Sequence, residues 1–196
     1  MENLPETVNT QSVALAIYNP TPGTKAIDIR RQMLQLPEVA KSLSGVEKYI
    51  FAASTKMQIA DIDDGTLIAK TGQMFRFIAM DVGYIIPTNP EDWAYICTRL
   101  LDILKKYYSQ MTLADIKLAF ELATTGELDD YLPKDSQGNP DKKHYQQFNA
   151  DYFAKILNAY RRKQNGVIHK AYKALPEPKK ELTPEEKRYY HNQAVA

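Results

Sequence analysis

Apolar positions in this chain return every three to four residues through its middle third, the spacing of helices with one buried face. The clearest run opens at Asn89, a good N-cap. Pro90 follows at the first helical position, and Glu91 and Asp92 suit the positive end of a helix dipole. Its stripe is Trp93, Ile96, Cys97, Leu100, Leu101, Leu104 and Tyr107/Tyr108, and Lys105-Lys106 fall in the last turn, where cations are favoured. Thr112 starts a second helix with Asp115 in a capping-box role. Ile116, Ala119, Phe120 and Ala123 form its stripe, and Gly126 suits the left-handed position past its end. Residues 131–143 are polar and rich in turn formers (Pro133, Asp135, Gly138, Asn139, Pro140), so they read as a surface loop. Asn149 caps a third helix with Tyr152, Phe153, Ile156, Leu157 and Tyr160 on its buried side. That helix carries Arg161-Arg162-Lys163 at its end and is expected to stop near Asn165-Gly166.

Before Asn89 the pattern is looser. Residues 1–23 read as an arm in which a polar stretch and the breaker cluster 19–23 flank the apolar run 13–18; such a run is expected to pack on the body or on a partner. Thr24 is the expected cap of a helix that begins at Lys25 and ends at Pro37. Residues 37–43 give a second helix, Ser44-Gly45 a break, and 46–59 a third, with Ile50, Phe51, Ser54 and Met57 along one side. Asp64 is the expected cap of a helix over 66–81, which Gly72 threatens to split. Residues 82–86 are β-rich and can pair with the run near Val13. After Gly166 come a short helix over 167–175, a stiff Pro176-Glu177-Pro178 linker, and a last helix started by Thr183 and Pro184 that carries Tyr189 and Tyr190. The fold class that results is all-α: an irregular bundle of five to seven helices over 24–175, with room for a minor β pair, an extended N-terminal arm and a C-terminal tail over 176–196.

Composition changes this picture little. A 196-residue chain with 44% apolar residues fits one domain with an ordinary core. The single Cys97 rules out a disulfide within one chain and suits a reducing compartment. No basic leader precedes a long apolar run, and no stretch approaches the roughly 18 apolar residues of a membrane span. No membrane partner is therefore expected.

Charge adds more. Residues 134–196 carry thirteen Lys and Arg against seven Asp and Glu, a net +6, whereas the preceding residues carry twelve against seventeen, a net −5. Such asymmetry points either to a nucleic-acid or acidic partner or to a solvated tail with spare lysines. Aromatic and basic residues interleave there: Tyr145, Tyr152, Tyr160, Arg161, Arg162, Lys163, His169, Lys170, Tyr172 and Lys173. Single-stranded nucleic-acid binders combine such cations for the backbone with aromatic faces for the bases. The candidate binding residues are Arg161, Arg162, Lys163, Lys170, Tyr172 and Lys173.

Other chemistry is weaker. Asp61, Asp63, Asp64 and Gly65 resemble the start of a calcium loop, but the Gly comes one position early and Gly72 stands where the bidentate Glu belongs. Lys70-Thr71 lacks the glycine spacing of a phosphate loop. His144, His169 and His191 have no ligand spacing, Cys97 lies on an apolar stripe, and Glu121, Glu127, Asp129 and Asp130 read as a solvated acidic face or a patch for a basic partner. No catalytic, cofactor or metal site is expected.

The segment Thr112–Glu127, with its Asp115-Ile116-Lys117 and Ala119-Phe120 core and its Gly126-Glu127 end, is followed after a loop by Tyr145, Phe148, Asn149, Tyr152, Phe153, Ile156, Leu157 and Tyr160. This pattern resembles small uncharacterised helical proteins of phages and mobile elements from Bacteroidetes-type hosts, crAss-like phages among them. The resemblance covers residues 91–163 and rests on core and cap positions. It implies a shared helical module and a setting among replication genes; it carries over no functional residue. The expectation is a non-enzymatic accessory protein of the host cytoplasm that binds nucleic acid or a replisome partner through its basic C-terminal surface, with other phage proteins as partners. The alternative is a virion component, such as a ring, collar or packaged protein, that grips its neighbours with its terminal arms.

Overall fold

The computed structural model describes residues 16–18, 20–142 and 148–177. Among them the chain is an all-α bundle. Its helices are α1 (Ala26–Met33), α2 (Pro37–Ser42), α3 (Gly45–Ala53), α4 (Asp64–Asp81), α5 (Pro90–Tyr107), α6 (Leu113–Thr125) and α7 (Ala150–Lys173), with one 3-10 turn at Ile59–Asp61. α7 is the axis of the bundle and packs against α2, α3, α5 and α6, while α6 also meets α3 and α4. Rings fill the centre: Phe153 stands edge-on to Phe75 and Phe148 at 5.5 and 4.9 Å between centroids and lies 4.6 Å from Phe120. The core runs from Ile17 to Leu175, so the apolar run of the N-terminal arm has its Ile17 buried against the body; residues 1–15 and 19 of that arm, the segment 143–147 and the tail after Glu177, with its expected last helix, lie outside the described residues.

Local capping chemistry sets most boundaries. Ser44 and Glu47 form a capping box at α3, Asn89 accepts from the Glu91 N–H at α5, and Asn149 accepts from the Tyr152 N–H at α7. Gly126 ends α6 with φ of 88°, a left-handed conformation that an L side chain resists.

Several expectations need correction. α1 starts at Ala26 after Lys25, because the Thr24 hydroxyl turns back to the Thr21 carbonyl and caps nothing. α3 ends at Ala53, and Met57 is exposed. The cap of α4 is Asp63, whose carboxylate accepts from the Thr66 N–H at 2.9 Å; Asp64 instead pairs with Lys105. Gly72 does not split α4. The buried row Leu67, Thr71, Phe75, Ile78 runs straight past it, and the Thr71 hydroxyl is satisfied by the Leu67 carbonyl at 2.7 Å. Residues 82–86 form no strand. The N–H groups of Gly83 and Tyr84 bond the Met80 and Ala79 carbonyls, a Schellman end to α4 that φ of 74° at Gly83 permits. Two isolated bridges, Gln58 with Thr112 and Lys134 with Pro140, are the only β pairing among the described residues. The largest correction is α7, which does not stop at Asn165-Gly166. Gln164, Val167 and Ala171 continue the buried stripe of Ile156 and Tyr160, and that burial outweighs the roughly 1 kcal/mol that a helical glycine costs.

Candidate functional site

The site grows from the start of α6. Thr112 and Asp115 bond each other's backbone N–H at 2.9 Å, and the Thr112 hydroxyl also donates to the Ala53 carbonyl at the end of α3. The same Asp115 carboxylate, 1% exposed, accepts from the Tyr160 hydroxyl and the Gln164 amide of α7, both at 2.8 Å. Three helices are thus joined through the Thr112–Asp115 pair. Burial pushes the Asp115 carboxyl above its ordinary range although the bonds with Thr112 and Tyr160 and the Arg30 charge oppose the shift. Burial and the facing carboxylate push the Tyr160 phenol up, so it stays protonated and donates.

This network floors a polar cleft of about 270 Å³ between α1, α5 and α7, walled by Arg30, Gln58, Gln110, Arg161, Gln164 and Asn165. A second hollow of about 400 Å³ lies on the other side of Arg161 against Ile103, Ala154 and Asn158, and both hollows share Tyr107 and Tyr108. Arg161 therefore stands between them, its guanidinium 5.9 Å from the centroid of the Tyr108 ring. Tyr108 is buried, and its hydroxyl bonds Asn158 at 3.3 Å. Burial raises its pKa, with the Arg161 charge opposing. Tyr107 is the opposite case: its ring is 60% exposed, with the Lys106 ammonium 5.2 Å from its centroid. Arg30 is held at the cleft wall by donating to the Ser54 carbonyl at 3.1 Å, and Arg31 does the same to Thr55. These two cations complement the carbonyl end of α3, which has no basic residue in its own last turn.

The six residues expected to form a basic surface are not brought together. Arg162 donates to the Tyr131 carbonyl, and Lys163 bonds the Glu127 carbonyl and carboxylate at 2.7 and 2.9 Å beside the Tyr131 ring. Lys170 sits about two turns beyond Lys163 and pairs with Glu47 at 2.7 Å, an arrangement that, with the Ser44 N–H, holds Glu47 below the usual carboxylate range. Tyr172 is about one-third exposed, and Lys173 is exposed with no ion pair among the described residues. Arg161 alone of the six lines the cleft.

The acidic residues are dispersed too. Asp61 pairs with Lys25, Glu121 with Lys117, Glu127 with Lys163 and Asp129 with Lys142. Cys97 is half-buried, and burial raises its thiol pKa. His169 is exposed; His144 and His191 lie outside the described residues. Among the described residues no group of His, Cys, Asp and Glu is placed to hold a metal, and no helix is long and apolar enough to cross a membrane.

Tyr107, Tyr108 and Arg30 line the cleft and were not singled out as site residues in the sequence. A signal existed for two of them: Lys105-Lys106-Tyr107-Tyr108 at the end of α5 repeats the basic-aromatic composition of Tyr160-Arg161-Arg162-Lys163. Arg30 had none, since its place depends on how α1 crosses α3. No protein-family model, curated protein or solved structure matches this chain.

Proposed function

We propose that this chain is a non-enzymatic accessory protein of phage DNA replication that binds single-stranded nucleic acid in the cleft around Arg161. The observation that carries the reading is the position of that guanidinium. It makes no ion pair among the described residues, and it stands between two hollows that share an exposed tyrosine. A phosphate at Arg161 leaves the exposed ring of Tyr107 for a base, the pairing of cation and ring that sequence-tolerant single-strand binding requires. Gln58, Gln110 and Asn165 supply amides along the wall for base edges or sugar hydroxyls. The replication setting rests on the resemblance of residues 91–163 to phage proteins, and other phage proteins are the expected neighbours.

Fluorescence anisotropy of a labelled single-stranded oligonucleotide, at low and at physiological salt, tests this. Micromolar binding that weakens steeply with salt is expected. Arg161→Ala should lower affinity about tenfold, the effect of one lost charge-assisted hydrogen bond of ~1.5 kcal/mol. Lys170→Ala, whose ammonium already serves Glu47, should change it by less than about twofold. Binding that is absent, or equal in the wild type and Arg161→Ala, would move the function to protein docking or a virion role.

A further inference from the structure

The two hollows beside Arg161 differ in what they offer a base. α7 turns one row of side chains toward them: Ala154, Asn158, Arg161, Asn165 and Ile168, spaced i, i+4, i+7, i+11 and i+14. Arg161 stands in the middle of the row. Toward the start of α7 the hollow is walled by Ile103, Ala150 and Ala154, and its one amide, Asn158, already accepts from the Tyr108 hydroxyl. That side can hold a flat ring by its face and offers the ring's edge nothing. Toward the end of α7 the cleft of about 270 Å³ carries four amides. Gln164 donates to Asp115 and Gln58 to the Gln110 carbonyl, so their NH2 groups are committed. Asn165 and the Gln110 side chain are exposed and make no hydrogen bond among the described residues.

Both free amides sit on fixed backbone. Asn165 lies one turn beyond Arg161 on α7. Gln110 lies in the turn after α5, which three bonds pin to the 3-10 turn: Ile59 N–H to the Met111 carbonyl at 2.8 Å, Ala60 N–H to the Ser109 carbonyl at 2.9 Å, and the Gln58 amide to the Gln110 carbonyl at 2.9 Å. Only side-chain rotamers remain to be ordered by a ligand. A carboxamide presents a donor beside an acceptor. Adenine is the base that answers this pattern on both its Watson–Crick and its Hoogsteen edge, with N6–H beside N1 on one and N6–H beside N7 on the other. The Hoogsteen edge of guanine shows two acceptors, which suit a guanidinium fork, and pyrimidines have no N7 edge. Arg30, on the same wall, has its Nε on the Ser54 carbonyl.

We infer that the polar side of the Arg161 cleft selects adenine, with Asn165 and Gln110 as the specificity-determining residues, while the apolar side accepts any base. Selection presupposes the single-strand binding proposed above, and it gives that binding a direction along α7: the phosphate at Arg161 joins an unselected nucleotide to a selected one.

The test titrates the full chain against fluorescein-labelled strands of about 12 nucleotides, inside the ~4–16 that single-strand sites span. One strand is all dT; the others carry dA, dG or dC at every third position. The dA strand should bind about tenfold tighter than all-dT, the discrimination of one good bidentate contact. A strand with 7-deaza-dA, which lacks N7, should lose part of that gain. Asn165→Ala should bring the dA strand to within about twofold of all-dT and leave all-dT binding unchanged, since Ala at an exposed helical position keeps the helix. Gln110→Ala should reduce the same preference. Arg161→Ala should weaken every strand alike. If no strand binds, single-strand binding itself falls and adenine selection falls with it. If all-dT binds and weakens with salt, but the strands bind equally or the dA preference survives both Asn165→Ala and Gln110→Ala, selection alone is overturned. Tightest binding of the dG strand would hand selection to Arg30, and tightest binding of the dC strand would mean that a single edge is recognised; either likewise overturns it.

Discussion

Tyr160 and Arg161 are neighbours in sequence and opposites in environment. Tyr160 points into the core, fully buried, with its hydroxyl on the Asp115 carboxylate. Arg161 points out between two hollows, with only the edge of the core beneath it as the Tyr108 ring. One turn of α7 therefore carries a completed polar network on one side and an uncommitted charge on the other. A buried charge is tolerable only when its hydrogen bonds are complete, so the inward side is fixed by stability. A solvated guanidinium has no such requirement and is available to a ligand. The comparison separates basic residues that fasten the fold, namely Arg30, Arg31, Lys163 and Lys170, from those open to a partner.

The largest effect should come from breaking the inward side. Asp115→Ala leaves the Tyr160 hydroxyl, the Gln164 amide and the Thr112 N–H without their acceptor, and a loss of about 3 kcal/mol or more is expected in urea unfolding. Tyr160→Phe removes one donor and should cost about 1–3 kcal/mol; a smaller loss than that in both variants would mean the network contributes little. Arg161→Ala should shift stability by under about 0.5 kcal/mol while it lowers single-strand affinity about tenfold, so a large stability loss there would erase the contrast. Lys170→Ala should cost less than about 1 kcal/mol, as exposed pairs do.

Titration sharpens the same contrast, because the two carboxylates shift in opposite directions. The Asp115 pKa stands above the ordinary 3.8, so between 3.8 and its raised value the folded state holds a proton that the unfolded state has released. Its contribution to stability therefore falls as pH rises through that window. Glu47 is held below 4.5 by Lys170 and the Ser44 N–H. Its contribution is complete above 4.5 and is lost as pH falls through its lowered value. Urea midpoints of the wild type, Asp115→Asn and Glu47→Gln between about pH 3 and 7 should show the falling limb flattened in the first variant and the acid-side loss flattened in the second. The reverse assignment of limbs would refute the burial argument for Asp115.

What the chain alone determined is local. The caps Asn89, Thr112 with Asp115, and Asn149, the end at Gly126, and the stripes of α5, α6 and most of α7 follow from interactions within a few residues, so their signals stand in the sequence. All-α architecture followed from those. What the tertiary structure decided is whatever depends on a distant neighbour. α4 passes Gly72 and α7 passes Gly166 because other helices bury their stripes, an energy no local pattern contains. Thr112 and Asp115 were legible as a cap, but not as the hub that joins α3 and α7. The basic cluster was legible as composition; its dispersal was not, since Glu127, Tyr131 and Glu47 reach it only across the fold. Charge in a sequence says how many cations a segment holds, and only packing says which of them already have a partner.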